Sequence, residues 1–258
     1  MIAMKKMLVV MLVGVAPVSG GDFLRELSAD RPDATESPNT VEAGRFQIES
    51  SLWSYERDTA PGVRMETWVF GESNLKVGLT EDMDLQWVVR PWVREIERGG
   101  GLREGVEGFG DMDLRLKWNL WGNDGGDTAG ALMPFVTVPV GTAVSGDHWE
   151  GGVVFPVAIG LSESMDLGFQ VELARVRGDD GHEWECTHTV VLGRDLGNDL
   201  GVFIEYAGVF GESRYEASVF SGVTWMVGRN LRWDLACGVG LNDDAPDFSI
   251  AQGVTFRF

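Results

Sequence analysis

Apolar and polar residues alternate along most of this chain, most plainly over residues 111–120. Met112, Leu114, Leu116, Trp118 and Leu120 fall on one side there, and Asp111, Asp113, Arg115, Lys117 and Asn119 on the other. Successive side chains of a strand point to opposite faces, whereas a helix would scatter these residues around its axis. Residues 83–93 repeat the pattern, setting Met83, Leu85, Trp87, Val89 and Val93 against Asp84, Gln86, Val88, Arg90 and Trp92. Residues 200–210, 215–227 and 231–241 follow the same rule. So do residues 247–258, where Phe248, Ile250, Val254, Phe256 and Phe258 share a face broken only by Gln252. Residues 45–55 and 63–77 alternate as well, but Trp53 and Trp68 land among the polar positions. Residues 128–140, with Pro134 and Pro139, and residues 151–161, 167–175 and 184–192 complete twelve predicted strands.

The connections carry a second signal. Short turns at 80–82, 162–164, 194–199 and 228–230 alternate with longer polar loops at 95–108, 141–150 and 178–183. That rhythm predicts an all-β, antiparallel, up-and-down transmembrane β-barrel of about 12 strands, with short periplasmic turns and longer outer loops. Closure has a physical cause: in lipid every backbone N–H and C=O must be paired within the protein, so strands survive there only without a free edge. Trp87, Trp118, Trp121, Trp225, Trp233, Tyr206, Phe210 and Phe258 sit near segment ends, as interfacial girdles would. A soluble β-sandwich or a lipocalin shares the period but turns its apolar face inward. The leader, the terminal Phe258 and the charge on the opposite face favour the membrane.

Residues 1–20 read as a secretory leader, with Lys5 and Lys6 before an apolar run and a small-residue exit at Val18-Ser19-Gly20. The division expected is a signal peptide at 1–20, a periplasmic lead-in at 21–43 and an outer-membrane barrel at 44–258. The net charge is −19, and −21 once the leader's two lysines are gone, which argues against a nucleic-acid partner. Cys186 and Cys237 lie on separate predicted strands, and nothing in their spacing suggests a disulfide.

If the apolar faces meet lipid, the lumen carries Asp84, Arg90, Trp92, Arg94, Asp111, Asp113, Arg115, Lys117, Glu205, Arg232 and Asp234, the candidate solute pathway. Glu66, Glu72, Lys76 and Glu172 join them, with Phe70 and Phe203 as further apolar contacts beside Trp92. Buried ions are costly unless paired or hydrated, so the interior is either a salt-bridged plug or a watery channel. Catalysis has little to work with. His148, His182 and His188 are the only histidines, and neither loop histidine has a serine at a telling spacing. No metal or cofactor site is expected; surface groupings at Asp147, His148 and Glu150, or at Asp179, Asp180 and His182, read as solvated loops.

Several stretches resemble one bacterial outer-membrane family, described as the "putative MetA-pathway of phenol degradation" proteins. They are Asp30-Arg31-Pro32-Asp33-Ala34-Thr35-Glu36-Ser37-Pro38 leading into Val41-Glu42-Ala43-Gly44-Arg45-Phe46-Gln47, then Asn74-Leu75-Lys76-Val77-Gly78-Leu79-Thr80, the run from Gly108 to Gly122, and Ala245-Pro246-Asp247-Phe248. The resemblance implies a transporter-like barrel passing or binding small hydrophobic or aromatic compounds, and brings no catalytic residues with it. The expected partners are outer-membrane lipid, the solute, and the barrel-assembly machinery through Phe258. A structural barrel with a salt-bridged closed interior is the alternative, ahead of a lipid-modifying barrel enzyme. Pro32 and Pro38 disfavour helix before the first strand. That segment is either a plug in the barrel mouth, its carboxylates on lumen arginines, or an ordered lead-in to strand one.

Overall fold

The structure, a computed structural model, describes residues 24–178, 181–212 and 214–258; the expected leader lies outside them. Its strands are β1 (Phe46–Ala60), β2 (Val63–Gly78), β3 (Met83–Val89), β4 (Trp92–Gly99), β5 (Leu102–Gly108), β6 (Met112–Trp121) and β7 (Thr128–Val138). There follow β8 (Glu150–Ser162), β9 (Met165–Gly178), β10 (Gly181–Asp195), β11 (Leu200–Phe210), β12 (Tyr215–Met226), β13 (Leu231–Gly240) and β14 (Phe248–Arg257). Every pairing between strands is antiparallel. β3 and β4 both lie on β2 and are halves of one barrel strand, interrupted at Arg90-Pro91; β5 and β6 are halves of the next. The fourteen segments therefore make twelve barrel strands, and β1 pairs with β14 to close the sheet. Reciprocal hydrogen bonds between Phe46 and Phe258, at 3.0 and 2.9 Å, lock that junction.

The barrel is inside out relative to a soluble protein. Lys117, Gln86, Glu205, Asp84 and Asp234 are among its most completely buried side chains, while Leu85, Trp87, Leu114, Trp118, Ile204, Trp225 and Phe256 are exposed. Water would not tolerate an apolar belt of that extent, and lipid would. Gln252, the polar break in the outward face of β14, accepts a hydrogen bond from Trp53 Nε1 at 2.9 Å.

Two segments expected as loops are strand. Residues 95–108 form most of the β4–β5 hairpin, and β9 and β10 run together until Gly178 pairs with Gly181. The β4–β5 hairpin carries no clean period: β4 buries only Val93 and Ile96, three residues apart, and β5 buries nothing, with Arg103, Glu104 and Glu107 all exposed.

The strands around this hairpin share an irregularity at one level. β1 shifts register between Ser51 and Trp53, β2 passes Gly71 at φ +71°, and β3 breaks from β4 at Pro91. An added residue or a break reverses which side chains face in. Below this seam Glu72, Asn74 and Lys76 share the inward face of β2. Above it Val69 lines the lumen with its partner Val93, so Phe70 and Trp92 stand on the outside. The seam accounts for Trp53 and Trp68, which seemed misplaced in a strict alternation: both face outward, Trp68 between Tyr55 at 4.6 Å and Phe70 at 6.1 Å.

Gly71 has open space where a Cβ would stand, its nearest neighbour being Pro91 Cγ at 3.9 Å, so its positive φ alone requires glycine. Gly71→Val should lower unfolding stability in lipid vesicles by about 1–2 kcal/mol. Gly160→Ala, at an ordinary φ with contacts no nearer than 3.7 Å, should leave the same urea transition in place.

Candidate functional site

Residues 24–45, which precede β1, run inside the barrel. Arg25 donates to the carbonyls of Asn123 and Thr40, both at 3.1 Å, which fixes the segment's entry at the short-turn end. On the way out the Thr40 amide donates to Asn123 Oδ1 at 3.1 Å and the Val41 amide to Asp84 Oδ2 at 2.9 Å. Between these points Asp30 to Glu36 reach the middle of the lumen. Residues 32–35 bend the chain back on itself, so that the Ser37 amide donates to Asp30 at 3.1 Å. Pro32 and Pro38 keep the stretch from forming a helix, leaving its other amides and carbonyls free to bond to the wall.

Each wall contact matches sign to sign. Asp30 lies between Lys76 on β2 and Lys117 on β6, the latter 2.5 Å away, and its amide donates to Glu49 at 2.9 Å. Lys117 also donates to the Ser37 carbonyl at 2.7 Å. Burial by itself would raise the Asp30 carboxyl, but the Lys117 and Lys76 ammoniums outweigh it and hold the group well below the usual carboxylate range. Arg31 forks onto Asp234 of β13, at 2.7 and 2.9 Å, and donates to Ser51 of β1 at 2.7 Å. Its guanidinium lies across Gly253, where any side chain would collide with it. Arg232 donates to the Arg31 carbonyl.

On the opposite wall the bonds run from backbone to side chain. The Ala34 and Thr35 amides donate to the two oxygens of Glu205, at 2.7 and 2.8 Å, and Thr35 Oγ1 adds a third bond at 2.6 Å. The Glu36 amide donates to Gln170 of β9 at 2.7 Å, and the Glu36 carboxylate meets Arg115 at 2.7 Å. Burial and the neighbouring Asp30 charge push the Glu36 carboxyl up to about 8, against the pull of Arg115 and Lys117. Near the chain entry Arg257 pairs with Glu42 at 3.0 Å.

Two cavities flank the inserted segment. The one towards the long hairpins, about 430 Å³, is bordered by Arg90, Asp113 and Arg115 and by Val69, Val93 and Phe135. Arg90 is spanned by Glu72 at 2.8 Å and Asp113 at 3.0 Å. The loop between β7 and β8 folds over this cavity because Asp111 holds it, accepting from the Val140 amide at 3.2 Å, the Gly146 amide at 2.8 Å and the Ser145 hydroxyl. The larger cavity, about 1490 Å³, lies towards the short turns, between the segment and the wall from β7 to β12.

Of the residues singled out in the sequence, Asp84, Arg115, Lys117, Glu205, Arg232 and Asp234 converge on the inserted segment, and Arg90, Asp111 and Asp113 surround the smaller cavity. Trp92 and Arg94 do not reach the lumen. The seam turns both outward, Trp92 against Phe70 at 5.1 Å and Arg94 beside Glu107 at 3.8 Å. Phe70 is likewise outside, and Phe203 lines the larger cavity. The carboxylate of Asp30 meets lysines where arginines were expected. Missing from the sequence reading were Arg31 and Thr35 as contacts, and Glu36 as the partner of Arg115. The proline-flanked acidic motif was visible, but its ion-pair partners lie 46 to 203 residues away.

The histidines stand elsewhere. His188 stacks with Phe210 at 5.2 Å and Tyr215 at 6.2 Å on β10–β12. His148, in the loop before β8, and His182, at the start of β10, meet edge to face at 5.5 Å. Among the described residues no three metal-ligating side chains converge, and Asp179 and Asp180 lie outside them. Both cysteines are free.

The family model described as "Putative MetA-pathway of phenol degradation" matches residues 29–258. Among solved structures the chain is similar to the COG4313 outer membrane channel from Pseudomonas putida F1, at 12% identity and a TM-score of 0.67, covering 90% of this chain and 100% of that one. It is also similar to the beta domain of the Bordetella autotransporter BrkA (11% identity, TM-score 0.55, covering 83% and 98%) and to the NanC porin (6%, 0.51, covering 82% and 98%). At such identities the likeness is one of fold, that of outer-membrane β-barrels. No curated protein sequence matches the chain.

Removing the Asp30 carboxylate leaves two buried ammoniums without their shared partner, which should weaken seating of the segment by about 3–5 kcal/mol. With Cys186 and Cys237 replaced by serine, a nitroxide on Ala34→Cys should be immobile in the parent and mobile after Asp30→Ala. An immobile label in both would show that the ion pairs do not hold the segment. Gly253→Val, which pushes on the Arg31 guanidinium, should mobilise the same label.

Proposed function

The chain belongs to the family described as "Putative MetA-pathway of phenol degradation", and from that premise we propose that it is an outer-membrane channel. It passes small solutes, hydrophobic and aromatic ones among them, along the lumen beside the inserted segment. The observation that carries this reading is the end-to-end arrangement of two cavities of about 430 and 1490 Å³. Apolar side chains accompany the polar ones along both: Val69, Val93 and Phe135 in the first, Val157, Val191 and Phe203 in the second. A solute with an aromatic body therefore has surfaces to slide along without losing all hydration.

Orientation follows from the connections. Short turns face the periplasm in barrels of this kind and long hairpins face outward, so residues 24–45 enter from the periplasm after a leader is removed near Gly20. Phe258 is the residue offered to the assembly machinery, and the apolar belt is offered to lipid. The channel and porin named among the structural neighbours lend support by analogy of fold.

One observation favours a second reading, a structural barrel: the mid-lumen is crossed by ion pairs from Asp30, Arg31 and Glu36. The two readings separate in planar bilayers and liposomes. The channel should show a small unitary conductance and admit a small aromatic solute such as benzyl alcohol, and Asp30→Ala should raise the conductance. No conductance and no solute entry would defeat the channel reading. If Arg115→Ala lowered stability with flux unchanged, the structural barrel would be preferred.

A further inference from the structure

Glu36 is the one described residue that borders both cavities. Its backbone cannot drift, because its amide is tied to Gln170 and the preceding amide to Glu205. Its side chain points across to Arg115 at 2.7 Å, while Oε2 lies 3.9 Å from the Lys117 ammonium and accepts no hydrogen bond from the described residues. A solute moving from one cavity to the other passes this carboxylate. We propose that Glu36, braced by Arg115, is the constriction of the passage and makes it favour small cations over anions. This inference rests on the channel reading above.

The charges around the constriction explain the preference. Five carboxylates border the outer cavity, those of Glu36, Asp111, Asp113, Glu150 and Glu172, against the two guanidiniums of Arg90 and Arg115. Both guanidiniums are already matched: Arg90 by Glu72 and Asp113, Arg115 by Glu36 and Asp113. Glu172 takes part in no ion pair among the described residues. An anion approaching Glu36 therefore meets the excess of carboxylates around the outer cavity, and a cation is drawn towards them. The charged groups facing Glu36 are Asp30 from its own segment, Arg115 and Lys117 from β6 with Asp113 behind them, and Glu172 from β9. With the Glu36 carboxyl pushed up to about 8 by burial and Asp30, its charge, and with it the preference, should grow as pH rises through that value.

The test is the reversal potential of the full mature chain in a KCl gradient across a planar bilayer, recorded at about pH 6 and again at about pH 9. The native channel should be cation-selective, more so at the higher pH. Glu36→Gln should lower the K⁺/Cl⁻ permeability ratio at high pH by about fivefold, the effect of one charge at contact distance in a hydrated pore, and should abolish the pH dependence. A native ratio and a native pH response in Glu36→Gln would overturn the proposal while leaving the channel reading intact. Channels silent in native and variant alike would overturn the channel reading itself. Should Glu36→Gln fail to fold, Glu36→Asp decides: a shorter carboxylate of the same charge should widen the passage and keep its selectivity. An unchanged conductance there would remove Glu36 as the constriction.

Discussion

The lumen is organised around Asp30 and the two lysines that enclose it. An ammonium as deeply buried as that of Lys117, wholly out of solvent, is stable only with a close counter-charge, since the effective penalty for drying an ion is several kcal/mol. The strands supply part of the counter-charge, Glu49 of β1 pairing with Lys76, but the ion pairs of Lys117 are made with the inserted segment. β6 brings Lys117 and Arg115, β2 brings Lys76, and the inserted segment brings Asp30 and Glu36 to meet them. At Arg31 and Asp234 the signs are exchanged, with the cation on the segment and the anion on the wall. At Asp30, Arg31 and Glu36 segment and wall are complementary in charge. Neither makes physical sense without the other once water has been displaced from between them.

Where the ion pairs stop, the wall changes character, and the irregular seam is the cause. Below it β1, β2 and β3 turn Glu49, Lys76 and Asp84 into the lumen. Above it the shift at Leu52, the turn of backbone at Gly71 and the break at Pro91 reverse the facing, so that Val69 and Val93 look inward. The cavity towards the long hairpins thus gains an apolar side that a strictly alternating wall would have denied it. The residues displaced outward, Trp53, Trp68, Phe70 and Trp92, make an aromatic band at that level, a location where amphipathic rings are favoured at a membrane boundary.

This seam also marks the limit of what alternation in the sequence can reveal. Residues 111–120 keep one parity from end to end, and there the lumen set of Asp113, Arg115 and Lys117 could be read off the period alone. Residues 83–93 change parity at Pro91, so Arg90 falls correctly into the lumen while Trp92 and Arg94 do not. The β4–β5 hairpin was invisible because the two buried residues of β4, Val93 and Ile96, do not share a period of two and β5 is wetted on both faces. The closed barrel was legible since each strand carries its own share of the signal. The placement of Asp30 and Glu36 was not, because it depends on pairs such as Glu36 with Arg115, 79 residues apart, and a pairing at that range leaves no local pattern.

The asymmetry of the inserted segment decides where a passage can run. Against β1, β2, β6 and β13 it is held by charged contacts at hydrogen-bonding distance, which leave no room for a solute. Towards β8 to β12 the contacts are fewer and the wall is low: Gly160, Gly168, Gly193 and Gly201 border the larger cavity where longer side chains would fill it. At Gly168 an added Cβ would press on Val191 and come within 3.2 Å of Thr35, so even the smallest increase in side-chain volume would close the wall onto the segment. The segment is therefore offset in the lumen. Charge fixes it to one side, and small residues keep the other side open as far as Glu36.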